Sequence, residues 1–445
     1  MESREHPTEI ATSDQNSLAD ASTVGAEGTP SVHAAEKDAL PVTEPLTFPE
    51  GGLDAWLCCL AASVSMFCGF GLTNAWGVFQ TYYEEKLLTQ YDPSTIAWIG
   101  SFQLFGMFAG AGLAGPVFDR HGARHLMMWS SLAYIIGIML SSISTEYYQL
   151  FLTQGLIQGF AGGALFGTGM VATNHWFREK RGIATGIVAA GSSLGGVVWP
   201  IALNAMLNGS TFGFGWTVRI VGFIDLGLLI VCCILVKGRL PRRDKIYFYD
   251  RDLFRNRVFL TYIAALFLCF LGLYIPFFFI TVDAINKGIS VSYAFYLITI
   301  INASSAFGRI IPGLIADKFG RLNVLFLAAA MSALLNFLWI TSSNVWEITL
   351  FAVAFGFASG SCISLGSAAV GQLCPHPTKI GYYFSVALIL CALGGLFGSP
   401  IGGALVDAHG GYDRAKIFGG CVGIAGVMLM ALTRVFLEPR FFAKV

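Results

Sequence analysis

Arg309 stands in a stretch that is otherwise free of charge, INASSAFGRIIPG, residues 301–313. A cation in apolar surroundings is costly and is a functional hypothesis by default. Its forked guanidinium suits a carboxylate bidentately, so the chemistry it offers is recognition of an organic anion. An internal ion pair or a helix-end role is the lesser alternative. Asn74, Gln158, Tyr274 and Asn302 add hydrogen-bonding groups to other apolar runs, each able to line a cavity or to tie two helices together. Asp225 lies mid-run, with Arg219 as its candidate partner.

No other group reads as reactive. The sequence holds no phosphate loop, no cluster at metal-ligand spacing, and no nucleophile beside a base. The expectation is a protein that is not an enzyme, with no cofactor, no metal and no nucleic-acid partner. Eight of the ten cysteines (Cys58, Cys59, Cys68, Cys232, Cys233, Cys269, Cys391 and Cys421) fall in long apolar runs, where Cys behaves as a small hydrophobe.

The elements that carry these residues are membrane helices. Of 445 residues 55% are hydrophobic and only 12% charged, with mean hydropathy +0.65, whereas a soluble domain has about 25% charged residues. Crossing a ~30 Å hydrocarbon core takes about 20 apolar helical residues. Such runs occur near 55–79, 95–118, 124–144, 147–172, 181–205, 216–236, 257–281, 291–315, 322–341, 346–371, 380–406 and 414–437. The expected fold is an all-α membrane protein of twelve transmembrane helices in two pseudo-symmetric six-helix bundles, 51–237 and 257–445, functioning as a monomer. A basic linker, 238–256, joins them. Residues 1–50 carry ten acids against Arg4 and Lys37, show no apolar period, and read as a disordered acidic tail.

With the N-terminus inside, the inner loops hold Arg120, Arg124, Arg178, Lys180, Arg181, Lys318, Arg321 and Lys379. The linker region adds Lys237, Arg239, Arg242, Arg243, Lys245, Arg251, Arg255 and Arg257. The outer side holds Lys86, Arg219, Lys287, Arg414 and Lys416. This bias places both termini in the cytosol, with the plasma membrane as the expected site. Asn208-Gly-Ser210 is an outer-side glycosylation sequon, but its loop is short.

The halves repeat. Gly115-x3-Asp119-Arg120-x-Gly122 recurs as Gly313-x3-Asp317-Lys318-x-Gly320, and Lys180-x-Gly182 recurs as Lys379-x-Gly381. Parallel repeats of this kind mark transporters whose halves rock about a site near the membrane midplane. Gly182, Gly186 and Ala190 recur every four residues, with Gly191 and Gly195 one step round, giving span 5 a small-residue face for close helix contact. Pro276 is expected to break span 7, with Phe277 to Phe279 as a gate there.

The G-x3-D-[RK]-x-G pattern, once per half, resembles the inner-loop signature of the major facilitator superfamily. Glu50-Gly51-Gly52-Leu53-Asp54-Ala55-Trp56 before span 1 and HWFREKRGIATGIVAAG, 175–191, before and within span 5 are similar to motifs of its monocarboxylate-porter branch, especially the fungal members. The resemblance covers about residues 50–440. It implies a substrate-anion role for Arg309 and a latch role for Asp119, Arg120, Arg124, Asp317 and Arg321, with Arg178, Lys180 and Arg181 at the cytosolic mouth. Ser305 and Asn74 stand where the animal branch has an acid and a lysine tied to proton coupling. The expected function is secondary transport of a small organic acid or acidic metabolite by alternating access, with export of a fungal secondary metabolite favoured. Proton-coupled uptake of short monocarboxylates is the alternative, and a non-transporting nutrient receptor the rival class.

Overall fold

The computed structural model describes residues 48–209, 213–239, 251–375 and 379–438. Residues 1–47, the linker from 240 to 250 and Ser210 of the sequon lie outside them. Twelve helices among the described residues are long and apolar enough to cross a membrane. They are span 1 (Leu53–Leu87), span 2 (Thr95–His121), span 3 (Ala123–Ser141), span 4 (Tyr147–Asn174), span 5 (Arg181–Leu207) and span 6 (Gly213–Leu235). The second set is span 7 (Arg257–Asn286), span 8 (Tyr293–Phe319), span 9 (Arg321–Thr341), span 10 (Val345–Leu373), span 11 (Ile380–Val406) and span 12 (Asp413–Leu437). Phe48 to Glu50, expected in the tail, belong to the folded body.

Burial follows position. Span 8 buries 39% of its apolar window yet lies against span 5; spans 3, 6, 9 and 12 bury 28–44%, against 78% and 72% for spans 4 and 10, and pack chiefly within their own halves, so these four are peripheral. Their outer faces carry Trp129, Leu132, Phe223, Ile230, Leu327, Leu338, Met428 and Val435, all exposed. A soluble monomer rarely shows so much contiguous apolar surface; here lipid is its solvent. Spans 1–6 pack chiefly on one another, as do spans 7–12, while spans 5 and 8 and spans 2 and 11 pack across. Most of the basic residues gather at one end of the molecule, called below the basic end.

The small residues of span 5 serve two different partners. A Cβ on Gly195 would meet the Gly71 Cα of span 1 at 2.6 Å, and one on Gly191 would strike the Ser63 carbonyl. One turn lower, a Cβ on Gly182 would meet the Gly313 carbonyl of span 8 at 2.6 Å, and Gly186 lies against the Arg309 carbonyl. One stripe therefore fixes span 5 within its own half, and the other lets it touch the opposite half.

Pro276 does not break span 7, which stays helical from Arg257 to Asn286. A lost backbone bond is tolerated inside a packed bundle, where neighbouring helices keep the freed groups from lipid. Phe277 packs on Tyr274 and Phe355, and Phe279 on Tyr412, all within the same half. The interruption falls in span 1 instead, where Asn74 and Ala75 separate the helix ending at Thr73 from the one starting at Trp76.

Lys416, expected in an outer loop, is fully buried. Its Nζ lies 2.9 Å from Asp283 of span 7 and 3.2 Å from Asp413, and 4.8 Å over the Trp339 ring of span 9. Lys287 contacts the other Asp283 oxygen at 3.1 Å. Asp283→Asn should strand a buried ammonium and cost about 3–5 kcal/mol. Thermal unfolding in detergent should show a large drop for the single variant and recovery in Asp283→Asn with Lys416→Met.

Candidate functional site between the halves

Spans 5 and 8 meet from the basic end to the middle of the molecule. The first backbone N–H groups of span 5 lack helical partners. The Asp317 carboxylate at the end of span 8 accepts two of them, from Gly182 at 2.8 Å and Ile183 at 2.9 Å. A negative charge on a helix N-terminus is favourable twice over, by hydrogen bond and by dipole. Arg321 pairs with Asp317 at 3.4 Å and donates to the carbonyls of Arg178 at 2.6 Å and Glu179 at 3.1 Å. The repeat shows in space as well. Asp119 lies against Gly381 at the start of span 11, where a Cβ would meet its Oδ1 at 2.5 Å.

A second carboxylate closes the same loop. Glu50 accepts the backbone N–H groups of Arg178, Glu179 and Lys180 at 2.6, 2.8 and 3.0 Å. It does so with φ of 53°, the sole positive value among described non-glycine residues, and Gly51 and Gly52 follow with positive φ. Strain of this kind persists only where surrounding contacts hold it. Arg181 is buried and donates to the Phe177 and Asn174 carbonyls at 3.2 and 3.4 Å. Beside it, burial against the Phe118 ring and the Arg181 charge hold the His175 imidazole down to about 3, so it is neutral in neutral solution.

Higher up, Arg309 reaches across the interface. Its Nη1 donates to the Ala189 carbonyl and the Ser192 hydroxyl of span 5, and its Nε to Ser305 at 3.2 Å. It is 2% exposed, and no carboxylate among the described residues pairs with it. The Tyr274 hydroxyl, buried without a hydrogen-bond partner, is within electrostatic reach. Asn74 stands at the interruption of span 1 and donates to the Ser192 carbonyl at 3.3 Å and to Asn302 at 3.5 Å. Arg309, Asn302 and Asn74 thus converge from spans 8 and 1 on one stretch of span 5, with Tyr274 of span 7 near Arg309.

Gln158 is not part of that group. It donates to Ser141 of span 3 at 2.7 Å, inside the first half, because its side of span 4 packs on Gly137. Arg120 and Arg124 are exposed and make no ion pair or hydrogen bond among the described residues. The position equivalent to Arg321 is Ala123, so the first half has no cation where the second half has its clamp. Arg178 and Lys180 serve through their backbones, and the Arg178 side chain lies over Phe48, 5.9 Å away. Arg219 bonds Ser142 and stacks on Trp216 rather than meeting Asp225.

Two sets of six spans, packed on one another through spans 5 and 8 and spans 2 and 11, have the architecture of a membrane transporter. The sequence matches the Major Facilitator Superfamily profile over residues 61–312 and 285–442, and the chain belongs to that superfamily. It is a multi-pass membrane transporter and not an enzyme. It is 40% identical over 390 residues to the aspyridones efflux protein of Emericella nidulans, spanning 87% of this chain and 79% of that one. The agnestins efflux protein of Paecilomyces divaricatus is 40% identical over 380 residues, 85% and 87% of the two chains. Among solved structures, the human organic anion transporter MFSD10 superposes with a TM-score of 0.65 at 16% identity, over 84% of this chain and 98% of that one. The fucose:proton symporter of E. coli gives 0.63 at 15%, with the same coverage. At that identity these two speak for the fold.

Asp317→Ala removes two charge-assisted bonds and should weaken closure of the basic end by about 1.5–3 kcal/mol per bond. Spin-label distances between spans 5 and 8 should then show a larger open population. For His175 the folded state disfavours the proton, so the unfolded chain binds it more readily. Stability should therefore be flat above about pH 6.5 and fall below it by up to about 1.4 kcal/mol per pH unit. His175→Gln should remove that component from a pH series of unfolding temperatures.

Proposed function

We propose that this transporter exports an acidic fungal secondary metabolite, whose anionic group is held by Arg309 between the halves. The observation that carries this reading is a fully buried guanidinium that spends its hydrogen bonds on carbonyl and hydroxyl groups. Neutral partners leave its charge uncompensated in a low-dielectric site, and an organic anion would complete it. Tyr274, Asn302 and Asn74 supply further hydrogen bonds around the same point. The efflux relatives support outward transport, and the Glu50-Gly-Gly and 175–191 motifs support a place beside the monocarboxylate porters.

In this reading Arg309 has two alternating partners. Without cargo it clamps span 8 to span 5; an arriving anion takes the guanidinium and frees span 5 to move. The bias of Arg and Lys supports a cytosolic basic end, where Asp317 ties span 8 to the start of span 5. We place the transporter in the plasma membrane, with both termini cytosolic, acting as a monomer driven by gradients.

Reconstitution into liposomes with a pool of short and long organic acids tests the assignment. Wild-type protein should move an acidic metabolite. Arg309→Ala should reduce that flux roughly tenfold or more, given about 1.5–3 kcal/mol for a hydrogen bond to a charged group. Equal flux in the variant would sink the anion reading. Movement of short monocarboxylates alone would replace the exporter with an uptake carrier.

A further inference from the structure

Two acids among the described residues are buried outside the proposed cycle: Asp283 is paired with Lys416 and Lys287, whereas Asp225 faces no cation. It lies in span 6, fully buried, and neither carboxylate oxygen has a hydrogen-bond partner. Span 6 packs on spans 1, 3 and 5. Span 1 presents the Cys68 thiol and span 3 the Tyr134 hydroxyl, with Cys232 on span 6 itself. The Tyr134 hydroxyl is already committed to the Cys68 carbonyl at 3.0 Å. Among the described residues no Lys, Arg or His bears on Asp225. A bare carboxylate cannot be sustained in such a place, and the group neutralises by binding a proton.

A small void and a run of hydrogen-bonded polar groups lie in the same half. A void of about 10 Å³, room for about one water, lies between Leu72, Ile138, Ser141, Gln154, Gln158 and Val221. Val221 is one helical turn from Asp225, roughly 6 Å along span 6. Gln158 donates to Ser141, Ser141 contacts Thr153 at 3.1 Å, and Thr153 donates to Gln149 at 2.7 Å, at the end opposite the basic one. Tyr83 donates to Gln154 at 2.6 Å on the other wall. A buried polar file of this sort is expensive unless it is used or fully satisfied.

We propose that Asp225 is an exchangeable proton site of the first half, loaded through the Gln149–Thr153–Ser141–Gln158 file and its water-sized void. The step is simple: one proton passes from water to a carboxylate oxygen, and no other bond changes. Asp225 stands behind Cys68 of span 1, on the same helix segment that ends at Asn74. Gain or loss of its proton therefore adds or removes charge directly behind the helix that meets the Arg309 site.

Infrared difference spectroscopy of the purified protein in lipid nanodiscs reads this without any cargo. The wild type should show a carboxylic-acid carbonyl band that is lost in Asp225→Asn and displaced in Asp225→Glu. Its intensity should fall as the pH is raised. Gln158→Leu should leave the band in place and slow its shift on transfer to heavy water at least severalfold. A band unchanged by Asp225→Asn, or one indifferent to pH and to heavy water, would overturn the proposal. Should Asp225→Asn not fold, the displaced band of Asp225→Glu still decides. Arg309→Ala should leave the band untouched, so failure of the anion reading and failure of this one are separable.

Discussion

The Asp317 carboxylate takes the two leading N–H groups of span 5, and much of the interface between the halves follows from that contact. The bond requires Gly182 to have no side chain, since a Cβ there would collide with Asp317 Oδ1 at 2.6 Å. Once span 5 is docked so closely, Gly186 must pass the Arg309 carbonyl, and Ala189 and Ser192 arrive under the guanidinium. The same helix is pinned to span 1 by Gly191 and Gly195. A single electrostatic contact at a helix end thus sets the register of a helix that serves both halves. Such a contact favours one arrangement of a two-state structure without forbidding the other.

Glu50 extends the network beyond the repeat. It holds the loop whose carbonyls Arg321 holds from the opposite half, so one acid and one arginine share the backbone of Arg178 to Lys180. All these groups use backbone amides and carbonyls as partners. Backbone partners do not depend on side-chain identity, which explains how the loop works although Arg178 and Lys180 themselves point to solvent. The repeated half has Ala123 at the position of that arginine.

What the sequence disclosed and what it hid divide along physical lines. The spans were legible because apolar runs of membrane length have no other solution, and the Asp119 and Asp317 contacts because the repeat set them at matching starts of spans 11 and 5. Arg309 was visible as a lone cation, but its grip on Ala189 and Ser192 was not, since no local pattern encodes a contact 120 residues away. For Gln158 the sequence left cavity lining and a tie between helices both open, because polarity says nothing about which side of a helix a residue occupies; its bond to Ser141 is a tie between helices. Lys416 was counted with the loops for the opposite reason: its partner Asp283 lies 133 residues earlier. Pro276 misled because the rule for isolated helices gives way inside a bundle.

The two halves also differ in stiffness. The second is cross-linked near the end opposite the basic one by Asp283, Lys287 and Lys416, over the Trp339 ring. The first has an interrupted span 1 at Asn74 and wide helical turns over Phe151–Gln158 in span 4. Under the same load, the first half bends and the second turns as a block. Motion between the halves is then less a symmetric rocking than the flexing of a compliant bundle against a rigid anvil, with the strain concentrated at the break beside the central site.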